Sequence, residues 1–266
     1  MHGPNFLNIE LTSRCNKSCW MCGRRKMERN HPELCDWGDM PYEMVEEIAS
    51  QLSGQNVIQF HNNGEALLYP RLGDALRIFR GHIRCFNTNG KLLLDKASEI
   101  IGNLETLTIS VIENDPEGDA QYDAVQRFLD LKRERGAECK PRMVYRLLGD
   151  VDHRERWERL PGVIATRILH APEGSRNYRK APTVPEIGIC LDLLTHMAID
   201  RYGNISLCVR FDPHGYLRVG HVNTTGLDGA WNSEKRKFYV KQHIEGMRDK
   251  LPGCSECDYW GCPTSP

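Results

Sequence analysis

Three cysteines lie close together near the start of the chain. They fall in the run Cys15-Asn16-Lys17-Ser18-Cys19-Trp20-Met21-Cys22. Thiolates suit soft metal centres, and three on one short loop can hold three irons of a cubane iron–sulfur cluster. Clusters that only carry electrons generally use four cysteines. A cluster held by three leaves one iron open, and an open coordination position can bind and activate a small molecule. With 11 Cys among 266 residues, this spacing is not expected by chance. A zinc knuckle is the competing reading of these three residues alone, although zinc sites favour CxxC pairs completed by further Cys or His.

Such a loop works only if flanking elements hold it. The apolar run at 6–11 reads as a strand that delivers the loop. Further strands are predicted at 56–60, 83–87, 106–112, 142–148 and 163–169. Helical patterns fall between them at 41–52, 71–80, 95–101, 121–135 and 153–160. Six strands with helical crossovers predict a parallel α/β sheet. At about 30 residues per βα step, six steps take roughly 180 residues, and the pattern stops near residue 180. We therefore divide the chain into 1–180 and a Gly- and Cys-punctuated tail, 181–266. In β/α barrels, sites gather at the C-terminal ends of strands. His61-Asn62-Asn63-Gly64-Glu65 follows the second strand and Thr88-Asn89-Gly90 the third, while Ser110 sits late in the fourth. Taken singly, the Thr-Asn-Gly run reads as a turn and the serine as structural.

An apolar content of 40% can bury a core, and a net charge of −1 gives no nucleic-acid signature. No stretch reaches the ~18–20 apolar residues of a membrane span. The N-terminus lacks the apolar core of a signal peptide. These features predict a cytoplasmic chain whose thiols stay reduced, where cysteine motifs serve metals rather than disulfides. Cys35, Cys85 and Cys139 have no partners at metal spacing and read as incidental thiols. No two histidines fall at HxH or HxxxH spacing.

The cysteine spacing, together with the order and strand-end positions of the other motifs, resembles the radical S-adenosylmethionine (SAM) superfamily. The resemblance covers the first 180 residues and implies a partial (βα)6 barrel. It implies that the open iron chelates the methionine amine and carboxylate, and that electron transfer releases a 5′-deoxyadenosyl radical. Gly64 and Glu65 match the Gly-Glu of the family's GGEPLL segment, which holds the methionine ammonium; Asn63 and Ala66 depart from that segment. Asn89 lies in a TNG motif like the family's, and Ser110 stands where members place a hydroxyl near SAM. Met21 replaces the aromatic residue before the third cysteine, whose backbone approaches adenine. Arg146, on the fifth strand, is a substitute for the arginine that clamps the SAM carboxylate, or else a structural arginine.

The tail carries Cys190, Cys208 and the pair Cys254-x2-Cys257. A hairpin turning at Tyr202-Gly203-Asn204 would bring Cys190 and Cys208 together. This pattern resembles the SPASM/twitch extension, which houses auxiliary clusters. It implies one further [4Fe–4S] cluster on Cys190, Cys208, Cys254 and Cys257, with structural zinc as the alternative. Cys262 is left as a spare thiol, alternative ligand or substrate-facing donor.

The resemblance therefore implies two [4Fe–4S] clusters, SAM, a small-molecule substrate and a reducing partner such as flavodoxin or ferredoxin. Within the family, the short architecture is similar to dehydrogenases that oxidise a secondary alcohol of an aminocyclitol. Arg176, after the sixth strand, would then face a polyol substrate. A peptide-modifying maturase is the second reading, and a non-catalytic metal-binding module the third.

Overall fold

A computed structural model describes residues 3–136, 139–167, 189–209, 212–255 and 257. Its first part alternates strand and helix. The order is β1 (Phe6–Ile9), α1 (Arg24–Asn30), α2 (Tyr42–Ser50), β2 (Val57–Gln59), α3 (Leu72–Ile78), β3 (Ile83–Thr88), α4 (Ala97–Ile100), β4 (Thr106–Ile112), α5 (Gly118–Glu134), β5 (Arg142–Leu148), α6 (Arg154–Glu158) and β6 (Val163–Arg167). Every neighbouring pair from β1 to β6 is parallel. Helical crossovers permit this, because each returns the chain to the same end of the sheet.

Side chains alternate across a strand, so the register assigns each face. One face is apolar. Leu7, Ile9, Ile58, Phe86, Leu107, Ile109 and Tyr145 are buried in one core with Val45 and Ile48 of α2 and Val125 and Phe128 of α5. Burying each such side chain is worth about 1.5–3 kcal/mol. The opposite face is polar. Asn8 is level with Gln59, Gln59 with Cys85, and Ser110 with Arg146.

The described tail comprises α7 (Leu191–Thr195), β7 (His196–Ile199), β8 (Asn204–Ser206), β9 (Arg218–His221), α8 (Gly226–Trp231) and α9 (Glu234–Ile244). Its hairpin turns where the sequence places it. Gly203 has φ +89°, a conformation that glycine adopts without steric cost. The hairpin does not stand apart from the barrel. β7 pairs in parallel with β1, giving a nine-stranded sheet in the order β6-β5-β4-β3-β2-β1-β7-β8-β9. The free edge of β1 is thereby covered, and Phe6 stacks on His196 with ring centroids 4.5 Å apart. A second, smaller core of Leu193, Leu207, Leu217, Tyr239 and Leu251 packs beside Cys190, Cys208 and Cys254. Among the described residues, no helix is long and apolar enough to cross a membrane.

Candidate active site

The three-cysteine loop leaves the C-terminal end of β1 and is tied down on several sides. Lys17 pairs with Asp115, beyond the end of β4, and both side chains are buried. Trp20 Nε1 donates to Glu113 O at 3.2 Å. Arg14 makes a two-bond fork to Asp39 at 2.9 and 2.6 Å and also donates to Leu68 O. Arg24 donates to Ser13 O and lies 3.8 Å from the centre of the Trp37 ring. Met21 is half-buried on this loop. Burial, reinforced by neighbouring negative groups, pushes the Cys15 thiol up and the Cys19 thiol up to about 12. A bound metal supplies the positive charge that keeps such groups as thiolates.

Gly64 and Glu65 press against the backbone that enters this loop. Gly64 has φ +77°, and a Cβ there would collide with the Thr12 carbonyl and lie 2.7 Å from the Arg14 carbonyl oxygen. Glu65 N donates to that same Arg14 oxygen at 2.8 Å. The Glu65 carboxylate is buried and turned into the protein. It accepts from Thr88 Oγ1 at 2.7 Å, Asn89 N at 2.8 Å and Leu67 N at 3.2 Å. A carboxylate offers roughly four acceptor positions, so most are already engaged. Burial raises the Glu65 pKa, while these hydrogen bonds hold it down. Asn89 Nδ2 in turn donates to Asn16 Oδ1, inside the cysteine loop, at 2.9 Å. Gln121 of α5 donates to Asn89 O at 2.8 Å and to Ser110 O at 2.9 Å. The loop that carries Cys15, Cys19 and Cys22 is thus tied through Arg14 and Asn16 to Glu65 and Asn89, and through Gln121 to the Ser110 backbone. Arg146 stands level with Ser110 on β5.

Sequence reasoning missed most of the supports: Arg14, Lys17, Arg24 and Gln121. Arg14, Arg24 and Gln121 lie outside the motifs, whereas Lys17 sits inside the Cys15–Cys22 run, where a lysine was a readable signal.

In the tail, Cys190, Cys208, Cys254 and Cys257 line one apolar cavity with Leu193, Leu207 and Leu217. Burial pushes the Cys254 thiol up to about 12. Arg248 donates to Cys254 O at 2.6 Å and Cys257 O at 2.9 Å, fixing the CxxC turn. Among the described residues, no three Cys, His, Asp or Glu side chains converge as ligands of a single ion. The four thiols surround a space instead, which suits a cubane that takes one thiolate at each corner. Arg176, Cys262 and the junction near residue 180 lie outside the described residues.

A cavity of about 330 Å³ with a mixed polar and apolar lining joins the two regions. On the barrel side it is lined by Glu10, Ser13, Asn62 and Asn63. On the tail side it is lined by Asp200, Asp212 and Cys208. Glu10, 4% exposed, accepts from Asn62 Nδ2 at 3.3 Å. Burial, reinforced by the negative charge of Asp200, raises its pKa to about 8. Glu10 was not singled out from sequence, because the cavity depends on the β7 hairpin docking beside β1.

Residues 190–258 match the SPASM iron–sulfur cluster-binding domain. Over 263 residues the chain is 23% identical to the S-adenosyl-L-methionine-dependent 2-deoxy-scyllo-inosamine dehydrogenase of Niallia circulans. The match covers 96% of this chain and 92% of that protein. The crystal structure of BtrN in complex with AdoMet and 2-DOIA superposes with a TM-score of 0.60 at 16% identity, covering 96% of this chain and 93% of that one. Streptococcus suis SuiB bound to its precursor peptide SuiA superposes with a TM-score of 0.63 at 13% identity, covering 96% and 70%. With the motifs and fold above, these matches show a chain that resembles radical SAM enzymes over nearly its whole length and carries a SPASM iron–sulfur domain at residues 190–258. The matched domain is an iron–sulfur cluster-binding one, and the Niallia circulans dehydrogenase is named for its dependence on S-adenosyl-L-methionine. The relatives include proteins that take a small molecule and proteins that take a peptide.

Proposed function

We propose that this enzyme dehydrogenates a small hydroxylated substrate of the aminocyclitol or sugar type. The observation that carries the reading is the cavity bounded on one side by Asn62-Asn63, next to Gly64, and on the other by Cys208. A substrate there reaches from the segment beside Gly64 to one of the tail cysteines. The carboxylates, amides and hydroxyls in its mixed lining can bind a compact molecule bearing hydroxyl and ammonium groups.

In this reading Cys15, Cys19 and Cys22 hold the cluster that binds SAM. Gly64, Asn89, Ser110, Arg146 and the Met21 backbone shape the SAM pocket. Glu65 acts chiefly by fixing the Asn89 loop, with one acceptor position left for the methionine ammonium. Cys190, Cys208, Cys254 and Cys257 hold the second cluster. When bound, these groups supply a 5′-deoxyadenosyl radical that takes the carbinol hydrogen and a cluster that takes the remaining electron. Glu10 lines this cavity and can receive the hydroxyl proton from its ionised form, a minor fraction at neutral pH that grows as pH rises toward about 8. Arg176 remains our candidate for a substrate-facing arginine. A flavodoxin or ferredoxin is the proposed reductant. The barrel is assigned to 1–180 and the cluster domain to 181–266.

The test is anaerobic turnover with SAM, dithionite and carbinol-deuterated aminocyclitols and polyols. Deuterium should appear in 5′-deoxyadenosine, with about one SAM consumed per ketone formed. Deuterium arriving only from a labelled peptide would establish the peptide-modifying reading instead.

A further inference from the structure

One buried side chain beside the tail cysteines has a use that neither packing nor the cysteine pattern explains. His243 lies in the last turn of α9, is 2% exposed and borders the cavity formed by Cys190, Cys208, Cys254 and Cys257. Its Nδ1 accepts a hydrogen bond from Cys190 N at 3.3 Å. A nitrogen that accepts is unprotonated, so in the neutral ring the proton sits on Nε2. Nε2 is buried and has no hydrogen-bond partner among the described residues. A donor left unpaired in an apolar pocket is costly, and natural structures rarely retain one without a use. The other side chains lining this space are three leucines, the four cysteines, Asp192 and Arg248. Its side-chain acceptors are the Asp192 carboxylate and the four sulfurs, and Nε2 makes no bond to that carboxylate, which leaves sulfur as the partner.

We propose that His243 donates an Nε2–H···S hydrogen bond to the cluster held by the tail cysteines and thereby raises its reduction potential. The inference rests on the assignment of that cluster. A hydrogen bond to sulfur stabilises the reduced, more negative cluster more than the oxidised one, so the potential rises. Arg248 adds positive charge on the same side through its bonds to the Cys254 and Cys257 carbonyls. The acceptor is thus tuned by the chain itself. His243 acts through the cluster and is a positioning residue, not a catalytic one.

The experiment isolates the tail cluster in the full chain by replacing Cys15, Cys19 and Cys22 with Ala, purified anaerobically. About four irons per chain should remain. Zinc in their place would defeat the cluster assignment, and the proposal with it. Given iron, a redox titration followed by electron paramagnetic resonance should show a lower midpoint potential in His243→Leu and recovery toward the parent in His243→Gln, which restores a donor. Proton–deuterium difference spectra of the parent should show an exchangeable proton coupled to the cluster, absent in His243→Leu. An unchanged midpoint with that coupling retained would overturn the proposal. If His243→Leu fails to load iron, the parent spectrum decides: no exchangeable coupling to ¹⁵N-labelled histidine overturns it.

Discussion

The two cysteine sets differ in how the chain holds them. The barrel loop is braced by polar bonds: Lys17 to Asp115, Asn89 to Asn16, Arg14 to Asp39. Its supports come from beyond the ends of several strands. The tail set is enclosed by Leu193, Leu207, Leu217 and Leu251 in a small core of its own. The difference matches the two tasks proposed. A centre that binds a polar cofactor needs open access and an exact frame, which directional bonds provide. A centre that only takes an electron benefits from shielding, which leucines provide.

The sharpest break of this contrast is removal of ligands. Replacing Cys15, Cys19 or Cys22 by Ala should abolish 5′-deoxyadenosine formation, as read by chromatography. Replacing Cys208 or Cys257 should leave uncoupled SAM cleavage while ketone formation stops. Unchanged turnover in a folded variant lacking the tail cluster would show that the two sets do not divide the work.

Next in size is the frame around Gly64. Gly64→Ala forces a Cβ against the Thr12 and Arg14 backbone at φ +77°. The left-handed backbone alone costs about 1–2 kcal/mol, and the collision adds to it. Urea unfolding should register that loss, and SAM affinity by calorimetry should fall because the backbone entering the cysteine loop is displaced. Glu65→Ala strands donors on Thr88, Asn89 and Leu67. Each buried unpaired group costs about 1–3 kcal/mol, so urea unfolding should register a loss as well as weaker SAM binding. Destabilisation without any change in SAM affinity would detach the Thr88-Asn89 loop from the SAM site.

A smaller effect follows from pH. The Glu10 carboxyl has its pKa raised to about 8, chiefly by burial and then by Asp200, against the lowering influence of Asn62, Arg201 and Arg24. A raised carboxyl pKa means that its contribution to stability is fully present below the unfolded value, near 4.5. That contribution is lost as pH rises toward about 8. Glu10→Gln should flatten this part of the stability profile, measured by denaturant unfolding across that range. A profile equally steep in the variant would remove Glu10 from the account. The smallest effect is at Arg133–Asp130, an exposed pair within α5. Arg133→Ala should change stability by no more than about 1 kcal/mol.

Much of the barrel was readable from sequence because each strand carries its own local evidence. Residues 106–112 and 142–148 are β-branched or apolar runs, and both appear as strands with those limits. The hairpin turn at Gly203 was equally plain, since its signal is a local one. What could not be read was long-range. Nothing local says that His196–Ile199 pairs with β1, because that pairing joins residues about 190 positions apart. Glu10 was missed for the same reason: its cavity is formed by the docked hairpin. The inward turn of the Glu65 carboxylate was also hidden, since a motif names a residue without saying which way its oxygens point.

The central claim is that one chain holds two separately built clusters. Anaerobic iron and sulfide analysis of the wild type, beside the Cys15/Cys19/Cys22→Ala and Cys208/Cys257→Ala variants, tests it most directly. We expect about eight irons in the wild type and about four in each variant. Zinc bound in the tail, or loss of all iron from either variant while it stays folded, would contradict the account.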